Sequence, residues 1–116
     1  MRLFLLAYVV ASVVLASCSR HEALPDKVMD ADKMARVLAD IHIAEASVNM
    51  KMMQGIDPKK TGSGYYRHIF AMYGIDQEVL DASMDYYALH PPLYEKVYDQ
   101  VLEILSRSEA ETEVKR

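Results

Sequence analysis

Apolar and polar positions divide the chain into an opening apolar run, a short polar stretch and four segments of helical periodicity. The opening run, residues 3–15, holds thirteen uncharged residues behind Arg2. The polar stretch 19–26 contains Pro25 and reads as a tether, roughly 25 Å long when extended. Beyond it Met34, Leu38, Ile41, Val48 and Met52 recur at helical spacing, with Val37 and Ala44 widening the stripe. That spacing predicts a helix over 32–53, roughly 33 Å long, capped by Asp30 or Asp32 and stopped by Gly55. Residues 55–64 (GIDPKKTGSG) read as a helix–helix connection. A second helix over 63–73 carries Tyr66, Ile69, Phe70 and Tyr73 on one face, and Gly74 ends it. Asp76 caps a third, with Val79, Leu80, Ser83, Met84 and Tyr87, which breaks at His90-Pro91-Pro92. A fourth has Leu93, Tyr94, Val97, Tyr98, Val101, Leu102 and Leu105 in a stripe, and the charged tail from Ser108 is expected to fray. Leu102 and Ile41 are both expected in the core, with the first and last helices packed together and the middle pair closing it.

Thirteen apolar residues are too few for a membrane span, which takes about 20. Small Ala16 and Ser17 follow, so the run reads as a cleaved signal peptide. Leu15-Ala16-Ser17-Cys18 looks like a bacterial lipobox. The resemblance implies that the Cys18 thiol is acylated, palmitate included, and becomes the first residue of the mature chain. Two or three acyl chains at about 0.8 kcal/mol per buried methylene give near-permanent anchoring. The alternatives are a free thiol beside an ordinary cleavage site, or an uncleaved anchor. The expected organisation is signal 1–17, lipidated Cys18 and tether 18–26, helical domain 27–107 and charged disordered tail 108–116: a small all-α, four-helix domain with short connections. Surface-exported lipoproteins of the Bacteroidota type often carry an acidic cluster just after the cysteine. Here Ser19-Arg20-His21 brings a positive charge, which points to the outer membrane facing the periplasm.

Charge narrows the partners. Without residues 1–17 the chain keeps seventeen Asp and Glu against twelve Lys and Arg, which argues against nucleic acid. Cys18 is the only cysteine, so neither an intramolecular disulfide nor a cysteine-built zinc site is available.

Candidate chemistry is sparse. His42 and Glu45 are i, i+3 neighbours, a spacing that ligates metal in some bundles when a second helix repeats it. Neither His68 nor His90 has a carboxylate three or four residues away, so no metal is expected. The glycines of 55–64 lack the strand and the closing Gly-Lys-Thr order of a phosphate loop, and no cofactor is expected. No serine sits in a nucleophile motif, and no catalytic residue is assigned. Seven of the eight tyrosines, including the pairs Tyr65-Tyr66 and Tyr86-Tyr87, fall in the last three helices, Tyr8 lying in the opening apolar run. Their hydroxyls can reach Asp40, His42 or Glu45 of the first helix, and the exposed member of each pair, with Met50 and Met53, makes a candidate contact surface.

Asp40-Ile41-His42-Ile43-Ala44-Glu45-Ala46, Tyr66 with Ile69-Phe70, Tyr73-Gly74-Ile75, Ser83-Met84-Asp85-Tyr86-Tyr87, Pro91 and the final Val97-Tyr98, Val101-Leu102, Leu105 occur in an order that resembles the lipoprotein family catalogued as domain of unknown function 4296. The resemblance runs over about residues 25–107. It implies a small helical lipoprotein of Bacteroidota envelopes and supplies no catalytic residues. The expected function is a non-enzymatic module that binds a protein or peptide partner as an assembly accessory. The alternative is a small metal-dependent or hydrolytic enzyme using Asp40, His42 and Glu45.

Overall fold

The computed structural model describes Met1 and residues 23–116; the apolar run, Cys18 and the start of the tether lie outside the described residues. The described residues form four helices and no strand: α1, Ala31–Met53; α2, Pro58–Tyr73; α3, Gln77–Ala88; and α4, Pro91–Val114. The all-α class read from periodicity is therefore the observed one.

Capping chemistry places most boundaries. The Asp30 carboxylate accepts from the Lys33 amide at 2.8 Å to start α1, and Asp76 accepts from the Val79 amide at 2.9 Å to start α3. Gly55 and Gly74 take left-handed backbone angles after α1 and α2 (φ 80° and 61°). The amides of Ile56 and Ile75 then close back onto the carbonyls of Lys51 and Phe70, so both helices end in the same glycine-dependent motif.

Two boundaries differ from the periodicity. Most of the expected loop 55–64 is helix, because Asp57 accepts from the Lys59 amide at 2.9 Å and Pro58 occupies the first turn, where its missing N–H costs nothing. Gly62 and Gly64 thus lie inside α2, and the connection shrinks to 54–57. The tail expected to fray from Ser108 is instead the C-terminal end of α4. It contains neither Gly nor Pro, Arg107 pairs with Glu103 at 2.6 Å, and the Thr112 hydroxyl donates to the Ser108 carbonyl at 2.9 Å.

α1 is the central element, packed along both α4 and α2, while α3 leans on α4. Asp32 and Arg36 of α1 share a cleft with Glu103 and Arg107 of α4, and His42 meets Tyr98, so α1 and α4 run antiparallel. Their register brings Pro91 level with Asn49. The last turn of α1 therefore reaches past α4 in the company of α2, while α4 outruns α1 at the opposite end.

The core is built from Met34, Val37, Leu38, Ile41 and Ala44 of α1 with Ile69, Leu80, Tyr87, Val97 and Val101. Leu102, expected there, is 60% exposed. It follows buried Val101 at about 100° around the helix, and the core claims only the Val97–Val101 side.

Met29 joins this core through its backbone as well as its side chain. The Ser83 hydroxyl accepts from the Met29 amide at 2.9 Å, and Tyr87 donates to the Met29 carbonyl at 2.9 Å. Lys27, itself left-handed (φ 67°), pairs with Glu78 at 2.5 Å. The segment before α1 is thus latched onto α3.

Candidate docking surface on the α1–α2 hairpin

The residues singled out from sequence fall into separate interfaces. Positions two apart on a helix point about 200° away from each other. Asp40 accordingly faces α2, where the Tyr73 hydroxyl donates to it at 2.6 Å, while His42 faces Tyr98 of α4. Glu45 accepts from the Tyr66 hydroxyl at 3.0 Å, and its other oxygen lies 3.7 Å from His42 Nδ1. Burial and the Asp40 hydrogen bond push the Tyr73 phenol up to about 12, and burial followed by Glu45 raises Tyr66. Both phenols therefore stay protonated donors that stitch α2 to α1. His68 is exposed on α2, and His90 stacks on Tyr86 with Nδ1 2.7 Å from the Tyr86 carbonyl. Among the described residues no three His, Cys, Asp or Glu side chains converge to hold a metal.

The tyrosine pairs divide as well. Tyr87 is 2% exposed and belongs to the Met29 latch, so it offers nothing to a partner, whereas Tyr86 is half-buried against His90. Tyr65 and Tyr66 are both half-buried and mark the place where the hairpin opens. Ala44, Glu45, Val48 and Asn49 of α1 face Gly62, Tyr65 and Tyr66 of α2 across a cleft of about 130 Å³. Gly62 provides the opening: a methyl group added there would meet no atom within 4 Å.

Tyr65 also walls a neighbouring shelf. Lys60, Gly64 and His68 follow one another at four-residue spacing along α2, facing Lys51 of α1. The Lys51 ammonium donates to the Tyr65 hydroxyl at 3.2 Å and lies 5.4 Å from the ring centre. Among the residues lining the shelf there is no carboxylate.

At the hairpin tip Met50, Met52, Met53 and Ile56 are exposed, Met53 to 87%. Ala35 and Ala39, fully buried, occupy the α1 face between the residues that touch α4; Ala46, Met50 and Met53 continue that face at spacings of seven, four and three and lie open. Lys51, Lys60, Gly62 and His68 were not singled out from the sequence as a surface. The signal was present as the 60/64/68 spacing but was masked by the loop reading of 55–64.

A family model, described as a domain of unknown function (DUF4296), matches residues 25–111. The chain belongs to the DUF4296 family. The match takes in all of α1, α2 and α3 and all but the last residues of α4, so the hairpin lies wholly within the DUF4296 region. No curated protein and no solved structure matches the chain.

Proposed function

We propose that this DUF4296 protein is a lipid-anchored, non-enzymatic module of the bacterial cell envelope, held by acyl chains on Cys18 to the periplasmic side of the outer membrane, whose helical head binds a protein or peptide partner as an assembly accessory. The observation that carries the binding reading is the hairpin tip, where Met50 and Met53 stand open on a helix face that α4 covers lower down and Ile56 is exposed just beyond the helix end. Methionine-rich exposed faces adapt their shape to a partner. The splitting of Asp40, His42 and Glu45 between two interfaces supports a binding role over hydrolysis, since a catalytic constellation requires its members to meet at one reacting atom. Anchoring by lipid is supported by the order Leu15-Ala16-Ser17-Cys18 behind the thirteen-residue apolar run. Among the described residues no helix is long and apolar enough to cross a membrane.

Two measurements test this reading. Labelled palmitate is expected in the wild-type chain and absent from Cys18→Ala, which should accumulate as precursor; continued labelling overturns the anchor. A photo-crosslinking residue at Met53 is expected to give a discrete adduct in envelope fractions, while the same residue at Glu111 gives none. Equal labelling from both positions removes the hairpin as the binding end.

A further inference from the structure

The cleft and the shelf on the side of the hairpin adjoin at Tyr65 and differ sharply in chemistry. The cleft is lined by Ala44, Val48, Gly62 and the two tyrosine rings, with Asn49 and with Glu45, whose carboxylate accepts from the Tyr66 hydroxyl, and its volume of about 130 Å³ approaches that of a cavity that holds one benzene ring, about 150 Å³. It has room for one apolar side chain and none for a lipid acyl chain. The shelf adds Lys51, Lys60 and His68 with no carboxylate lining it, in a chain whose net charge is −4. Gly64 lies between Lys60 and His68 without a side chain, so a backbone can lie close to α2 there.

We propose that cleft and shelf together receive a peptide segment in which one leucine- or phenylalanine-sized side chain stands beside acidic residues. The apolar side chain enters between Val48 and Gly62, and its acidic neighbours lie over Lys51 and Lys60. This assignment rests on the reading of the hairpin as the partner-binding end and names the chemistry of the partner. The lysine shelf favours an acidic segment, and because exposed apolar side chains of this chain such as Leu102 and Met53 are fixed on folded helices, an extended peptide is the occupant that can enter the cleft while its backbone lies over Gly64. The one-side-chain size of the cleft favours a peptide over a membrane.

The test is an NMR titration of the full chain in detergent micelles, following the Gly62 and Gly64 amides. A Gly-Ser peptide carrying Glu-Leu-Glu is expected to shift both saturably, and versions with Glu-Ser-Glu or Lys-Leu-Lys to bind at least tenfold more weakly. Gly62→Leu, which fills the cleft, and Asn49→Trp, which covers its mouth from an exposed position, should each weaken Glu-Leu-Glu binding at least tenfold with helicity unchanged. Lys51→Glu with Lys60→Glu should do the same, and raised salt should weaken wild-type binding. Equal affinity for the three peptides, or binding that survives both cleft variants, overturns the assignment. So does binding to phosphatidylglycerol vesicles that is lost with the lysines and indifferent to Gly62→Leu, or a concentration-dependent Gly62 shift without peptide, which reports self-association. Crosslinks from Met53 without any peptide response sink this assignment and leave the binding-module reading standing; with neither, both fall.

Discussion

Ser83 shows how much one small side chain can hold. It is fully buried, accepts from the Met29 amide and donates to the Val79 carbonyl at 2.7 Å. Ser83→Ala leaves the Met29 N–H buried without a partner and is expected to cost about 1–3 kcal/mol in urea unfolding. Tyr73 carries a pH dependence of definite sign. Its phenol has an ordinary value near 10 and about 12 in the fold, so the protonated form is the one the fold favours. The stability it contributes is complete below pH 10 and is lost as pH climbs from 10 toward 12. Melting temperature should therefore fall across that window, and Tyr73→Phe should flatten the fall; an unchanged slope would place the effect elsewhere. These roles were only partly legible in sequence. Tyrosine hydroxyls reaching Asp40 and Glu45 follow from clustering and helix faces. A serine and a tyrosine gripping one backbone unit 54 and 58 residues away follow from no local pattern.

At the scale of elements, the glycines separate by backbone angle. Gly62 is helical with open space at its Cβ, so Gly62→Ala should stabilise α2 by about 0.5–1 kcal/mol; Gly74→Ala, at φ 61°, should destabilise by about 1 kcal/mol. Thermal melts of the two variants should move in opposite directions. Caps carried most of the legible structure: Asp30, Asp76 and Gly74 mark helix ends by chemistry that acts within a few residues. The glycines of 55–64 hide the true start of α2, because a cap at Asp57 and a first-turn Pro58 outlast two weak helix formers once the helix is packed on α1. Of the expected α4 stripe, Leu102 alone is exposed. Ile41→Ala should accordingly cost about 2–5 kcal/mol and exposed Leu102→Ala remain within about 0.5 kcal/mol, as chemical denaturation would report.

At the scale of the whole molecule, α1 has a protected beginning and an open end. Its first half packs between α4 and the C-terminal end of α2, and its last turn is accompanied by α2 alone, so that turn is the part of α1 with least burial to hold it. Amide hydrogen exchange should be slowest around Met34–Ile41 and markedly faster beyond Asn49; uniform protection along α1 would contradict this picture. The Met29 latch sets how force passes through the head. Tension applied from the N-terminal side loads the Lys27–Glu78 pair and the two Met29 hydrogen bonds, all ending on α3, before it reaches α1. The shortest helix is therefore where the N-terminal segment is fastened, and α1, about 35 Å long, holds its methionine tip at the opposite end of the head. A pull on the N-terminal segment is borne first by α3, away from the methionine tip.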